Sequence, residues 1–173
     1  MLMRIDTILF NFVNHTCSNR IFDVLMPILT WLAHGIFLCL LALLMILGAE
    51  GRKKICGILL LAGITASYYI SSFLKYIVAR PRPFILIPDA HAMAIENSSS
   101  FPSTHTIMAF MAAFILTKYF KKGPLFFTLA ALVGFSRVYI GVHFVSDVLA
   151  GAAIGTLIGY LLVKVSKSLD SSV

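Results

Sequence analysis

The chain has 173 residues, of which 60% are hydrophobic and only 12% charged, and its mean hydropathy is +0.95. A water-soluble domain of this length cannot hide that much apolar surface, so lipid is the expected solvent for most of it. The formal net charge of +7 comes from basic residues scattered between apolar runs. That scatter excludes the clustered patch of a nucleic-acid binder and fits the loop charges of a membrane protein.

The chain opens with MLMRIDTILFNFVNH, where Ile5, Leu9, Phe12 and Val13 fall near helical spacing. This predicts a short helix lying in the membrane interface, within a segment 1–20. One arginine, an early Asp6 and no small-residue cleavage site argue against a removed signal peptide. The run 21–48 is long and interrupted by Pro27 and Gly35, so it reads as a kinked span or as a span preceded by an interfacial helix. Four further runs, 55–79, 102–120, 124–141 and 143–165, are each close to the roughly 20 residues that cross a hydrocarbon core. The expected fold is an all-α integral membrane protein. It is a bundle of five transmembrane helices with an N-terminal interfacial helix, six spans being the alternative, in one membrane-embedded domain over 1–173. Cys17, Cys39 and Cys56 have no metal spacing and read as free thiols used for packing.

Charge sets the orientation. Arg52, Lys53 and Lys54 precede one span, Lys118, Lys121 and Lys122 follow the next, and Lys164 and Lys167 close the last. Alternating spans place all three groups on one face, which the positive-inside rule makes cytoplasmic. The opposite face receives Lys75, Arg80, Arg82, His105, Arg137, His143 and Asp147, together with the long loop 84–101. In a bacterium that face of the cytoplasmic membrane is periplasmic or extracellular.

The outer group needs an explanation, because each ionisable side chain costs roughly 2.5–3.5 kcal/mol at a helix centre. In KYIVARPRP (75–83), Lys75 lies in the last turns of a span and Arg82 just beyond it, with Pro81 and Pro83 ending the helix. Arg137 arrives from another span end. Three fixed cations suit a multiply charged oxyanion, and an arginine fork matches phosphate. The alternative is snorkelling at the interface, which stays open for Arg80. SFPSTHT (100–106) opens a span whose first N–H groups form an anion site. Ser103 serves there as an N-cap, as a ligand contact, or both. His105 sits one turn in, able to exchange a proton near neutral pH. His143 and Asp147, spaced i and i+4, share a helical face. A carboxylate there fixes the imidazole tautomer and leaves the other nitrogen nucleophilic; a structural staple between helices is the plainer reading.

Taken together these blocks carry a resemblance. Lys75, six residues, then Arg82 and Pro83; PSTH at 102–105; and Ser136–Arg137, five residues, His143, three residues, Asp147: the series resembles the three-part signature of the type 2 phosphatidic acid phosphatase superfamily. Thr104 departs from it, standing where the family usually has glycine; threonine keeps the backbone N–H but adds bulk and a hydroxyl. The resemblance implies that His143 attacks phosphorus, that Asp147 orients it, and that His105 protonates the leaving oxygen and then activates water. It implies that Lys75, Arg82, Ser103, Thr104 and Arg137 hold the phosphate oxygens. No metal or other cofactor is expected, since side-chain cations take the place magnesium has elsewhere. Asp89, His91 and Glu96 share the long loop without distinctive metal spacing, and a solvated lid is expected there.

A site at the outer face between helix ends meets lipid headgroups laterally, so the expected partner is a membrane lipid phosphate or diphosphate. The compact size and the RPRPF…SSSFPS framing resemble bacterial undecaprenyl-diphosphate phosphatases. Phosphatidylglycerophosphate, phosphatidate and the 1-phosphate of lipid A are the alternatives. From other classes, a non-catalytic lipid or anion transporter predicts paired half-repeats or broken helices, which are not visible. Vanadium haloperoxidases share the phosphate-site motif but are soluble, which this composition excludes.

Overall fold

The computed structural model describes residues 2–170, and every regular element among them is helical. Helix α1 (Leu2–Asn11) runs into a π-helical turn, Phe12–Thr16. Then come α2 (Arg20–Trp31), α3 (Gly35–Gly48), α4 (Gly51–Val78), the short α5 (Pro83–Leu86), α6 (Thr104–Phe120), α7 (Gly123–Tyr139) and α8 (Val145–Asp170). The interrupted run 21–48 resolves into α2 and α3, which meet at a 49° bend near Gly35. By length and composition, α4 with α5 (Gly51–Leu86) and α8 (Val145–Ser168) each suffice to cross a membrane, and α2 with α3 suffices if the bent pair is one span. α6 and α7 have 17 residues each, or about 25 Å of helix.

α6 is the hub. It packs on α8, α7 and α4, while α3 lies on α4 and α2 on α7. The α6–α8 contact is the tightest, and its cause is written along α8. Gly151, Gly155 and Gly159 lie four residues apart on one face, and a Cβ at each would sit 2.9 Å from Ser103 O, 2.2 Å from Ile107 O and 2.9 Å from Met111 O. Only glycine lets the two backbones approach so closely, the usual way helices gain dispersion contact in lipid. Asp147 stands four residues before Gly151, on the same face, and its carbonyl accepts from Ser103 N at 3.2 Å. The packing stripe therefore sets the register of the polar end.

Helix α1 is more than a surface helix. In α1 and the turn after it, Ile5, Leu9 and Phe12 are exposed, as a lipid-facing stripe would be, but Asp6, Phe10 and Asn14 are buried. Phe10 packs against Phe144 with ring centroids 5.8 Å apart. Asn14 donates to Tyr139 O at 2.6 Å and to His91 O at 2.9 Å, and it accepts from His91 N at 2.8 Å. The first helix is thus pinned to the end of α7 and to the long loop.

Candidate active site

Four helix ends, those of α4, α6, α7 and α8, and the loop before α6 meet at one end of the bundle. α4 stops where Ala79 adopts a left-handed conformation (φ 46°) and donates its N–H to Lys75 O. Pro81 and Pro83 then confine the residues before them to extended backbone, and Arg82 turns back into the protein, 1% exposed. Its Nε donates to Ser98 O at 2.7 Å, Nη1 to Val142 O at 2.9 Å and Nη2 to Ser98 Oγ at 3.0 Å. Lys75, in the last turn of α4, donates to Ser99 O. Arg137, in the last turn of α7, is 2% exposed, and its Nε has no hydrogen-bond partner among the described residues. The three cations of the sequence reading are brought together.

Between the two guanidiniums sits a carboxylate. Glu96 Oε2 accepts from Arg82 Nη2 at 2.6 Å and Oε1 pairs with Arg137 Nη2. Loop residues Asp89, His91, Asn97 and Ser98 are exposed, as a solvated lid would be, but Glu96 turns inward: two buried arginines leave a net positive hole, and this glutamate is the anion that fills it. Burial works to raise the Glu96 carboxyl, but Arg137 and Arg82 outweigh it and pull it from its ordinary 4.5 down to about 2.

His143 follows α7 in a tight turn that depends on Gly141 (φ 83°), where a Cβ would lie 2.7 Å from His91 O. Its ring is 1% exposed. Nε2 lies 3.4 Å from Arg82 Nη1, on the cationic side, and Nδ1 lies 3.6 Å from Asp147 Oδ2. That second distance is longer than a hydrogen bond. Ser100 closes the gap: its Oγ donates to Asp147 Oδ2 at 2.5 Å and lies 3.5 Å from His143 Nδ1. Phe144 N also donates to Oδ2, at 3.0 Å. His105 opens α6 within electrostatic reach of Arg137, Glu96, His143 and His34.

Ser103 precedes α6 as expected, but its hydroxyl makes no capping bond; it accepts from Thr106 Oγ1 at 2.9 Å. Thr104 meets its extra polarity with Ser71 of α4, the hydroxyls 2.5 Å apart. Ser100, Glu96 and His34 were not among the expected site residues. Ser100 and Glu96 sit beside the second motif in sequence, and an acid close to a cationic constellation was their only signal. The His34 ring lies 5.9 Å from that of His105 and 4.7 Å from that of Trp31.

Two buried guanidiniums, a lysine and two imidazoles around one anionic seat can bind a phosphoryl group and present a ring nitrogen to it. Comparison with known proteins agrees. The model of the PAP2 superfamily matches residues 57–170, a stretch that contains every motif block. The chain belongs to the PAP2 superfamily and so to the class of lipid phosphatases. It is 30% identical to the bacitracin transport permease protein BcrC of Bacillus licheniformis over 86% of this chain and 74% of the relative. It is 31% identical to the undecaprenyl-diphosphatase BcrC of Bacillus subtilis, covering 86% and 77%. Among solved structures, Aquifex aeolicus LpxE superposes with a TM-score of 0.81 at 31% identity, over 90% of this chain and 93% of that one. A transmembrane PAP2-type phosphatidylglycerolphosphate phosphatase from Bacillus subtilis gives 0.80 at 28%, over 99% and 87%.

Proposed function

We propose that this chain is a metal-independent membrane lipid phosphatase that works through a phosphohistidine on His143, with undecaprenyl diphosphate as its principal substrate. The observation that supports this most directly is the Glu96 carboxylate, held by Arg82 and Arg137 beside His143. It marks where an oxyanion is stabilised by two guanidiniums. An incoming phosphate replaces it, gaining the two arginine forks, Lys75 and the first N–H groups of α6. His143 Nε2 then attacks the terminal phosphorus as its bond to the bridging oxygen breaks, and His105 delivers the proton that this oxygen needs as undecaprenyl phosphate leaves. Asp147, behind Nδ1, stabilises the positive charge growing on the ring. In the second half-reaction His105 takes a proton from water, water attacks phosphorus, the N–P bond breaks and phosphate leaves. The cations neutralise the equatorial oxygens throughout, which is most of what phosphoryl transfer asks of a protein.

The membrane setting is part of the same proposal. α2 with α3, then α4, α6, α7 and α8, make five spans, with α1 along the outer interface. The site faces the extracytoplasmic side, opposite Arg52, Lys118 and Lys167. An apolar groove lined by Leu40, Leu43, Ile64, Tyr68 and Met108 ends at His34, whose ring lies 5.9 Å from that of His105. A lipid chain fits there while its headgroup reaches the arginines. The likeness to the phosphatidylglycerolphosphate phosphatase structure supports phosphatidylglycerophosphate as the second reading of the substrate.

Purified protein in detergent with excess chelator is expected to release phosphate from undecaprenyl diphosphate faster than from phosphatidylglycerophosphate, and His143→Ala is expected to release none. An alkaline quench during turnover should trap acid-labile phosphate on the wild-type protein. Activity that survives His143→Ala, or that requires a divalent ion, would overturn the mechanism; lipid movement without phosphate release would point to a transporter.

A further inference from the structure

Arg80 lies inside the first motif block, yet it has no part among the phosphate-holding cations. In the fold it is an ionic hub. Nη1 donates to Asp147 Oδ1 at 2.5 Å and to Ser146 Oγ at 2.7 Å, while Nη2 donates to Asp6 Oδ2 at 2.7 Å. Its guanidinium lies over the Phe144 ring, 4.3 Å from Cζ to the centroid. Asp6 comes from α1 and is 3% exposed. Its Oδ1 accepts from Ser146 N at 2.9 Å, and its Oδ2 also accepts from Ser146 Oγ. Two buried carboxylates and one guanidinium therefore share the first turn of α8.

An anchoring arginine keeps its head in water and lays its stem on apolar surface. Arg80 does the reverse. It also divides the work of Asp147: Oδ2 faces Ser100, Phe144 N and His143, while Oδ1 belongs to Arg80. Oδ1 is held by Arg80 Nη1 and Oδ2 by Ser100 Oγ and Phe144 N, so the carboxylate is tethered at both oxygens and Oδ2 stays toward Nδ1.

We propose that Arg80 and Asp6 are positioning residues for phosphoryl transfer, a buried ion pair through which helix α1 holds the Asp147 carboxylate in place and sets the charge behind His143. The inference rests on His143 being the nucleophile. Arg80 cancels part of the field that Asp147 exerts on the imidazole, and Asp6 cancels part of the field of Arg80. The other charged groups facing His143 are Arg82, Arg137, Lys75, Glu96 and His105; Asp147 also feels Lys75 and Arg82. None of these changes when the pair is altered.

The signs follow. Without the charge of Arg80, Asp147 favours the protonated ring, and the acidic limb of kcat/KM moves to higher pH. Without the charge of Asp6, Arg80 acts uncompensated on Asp147, and the limb moves to lower pH. A purely structural pair gives no such opposition of direction.

The test measures phosphate release from phosphatidate and from farnesyl diphosphate in detergent micelles between about pH 4 and pH 9. It uses the full-length wild type, Arg80→Gln, Arg80→Lys, Asp6→Asn and His143→Ala, with thermal unfolding of each. Arg80→Gln should lower kcat about 100-fold with KM little changed and raise the acidic limb by about one pH unit. Asp6→Asn should lower kcat about tenfold and move the limb down by about half a unit. Arg80→Lys, keeping charge but not the fork, should leave the limb in place while kcat stays reduced. Limbs that stay fixed, or that move the same way in Arg80→Gln and Asp6→Asn, overturn the proposal. Should Arg80→Gln fail to fold, the sign of the Asp6→Asn shift decides alone. His143→Ala separates the two levels: if it remains active, the nucleophile reading falls and this inference with it. If it is inactive while the limbs stay fixed, only the positioning role falls.

Discussion

The two ends of the helix bundle treat positive charge in opposite ways. At one end Arg52, Lys53, Lys54, Lys118, Lys121, Lys122, Lys164 and Lys167 are all exposed. At the other, Arg82 and Arg137 are almost completely buried and share one carboxylate, and Arg80 is clasped between two. Exposed cations keep their hydration and cost little; buried ones are tolerated only where hydrogen bonds and counter-charge replace the lost water. The first group is distributed as the positive-inside rule expects of cytoplasmic loop charges. The second is assembled at considerable free-energy cost, which structure alone does not require and which phosphate binding explains.

That contrast can be attacked at several points. The largest effect belongs to the buried end. Arg137→Ala should lower kcat/KM about 10³-fold or more, because it removes a donor aimed at developing charge; phosphate-release kinetics on any accepted lipid would show it, and a loss below tenfold would mean Arg137 is structural. Next comes the stripe that joins α8 to α6. Gly155→Val places carbon atoms against Ile107 O and should destabilise the fold by about 3 kcal/mol. Detergent-solubilised thermal unfolding would register a clear fall in midpoint, whereas an unchanged midpoint would mean that the two backbones are not in contact.

Glu96→Gln probes the seat itself. With its carboxyl held down to about 2, the tie to the arginines is complete above the ordinary 4.5 and is lost only as pH falls through about 2. At neutral pH Glu96 therefore leaves by competition with another anion and not by protonation. Removing its charge should make inorganic phosphate a competitive inhibitor about tenfold tighter, and equal inhibition constants for wild type and variant would refute the displacement model. The smallest effect is expected at the other end: Lys121→Gln with Lys122→Gln should leave kcat/KM within about twofold, since exposed cations of this kind contribute little locally. A large loss there would erase the contrast between the two ends.

Much of this site was legible in the sequence because its parts sit at helix ends, where prolines, an N-terminal turn and an i, i+4 pair leave local marks. Lys75, Arg82, Arg137, His105, His143 and Asp147 were found that way, and the structure places them at one end of the bundle. What escaped was long-range. Asp6 meets Arg80 across 74 positions and Glu96 meets Arg137 across 41, and no periodicity connects such residues. Apolar spacing in α1 identified its outward stripe and left Asp6 and Asn14 unexplained, although a buried partner is the reason both are there. Thr104 was visible as a departure; its partner Ser71 is visible only once α4 and α6 are side by side.

The glycine comb on α8 acts as a ruler for the chemistry. Asp147 is in effect its first tooth, so the carboxylate and the packing face cannot be rephased independently. Deleting one residue between Asp147 and Gly151 would swing the acid by roughly 100° about the helix axis while the three glycines stay seated on α6. Length can therefore be gained or lost more readily at the far end of α8 than in the three positions that separate its grip from its function.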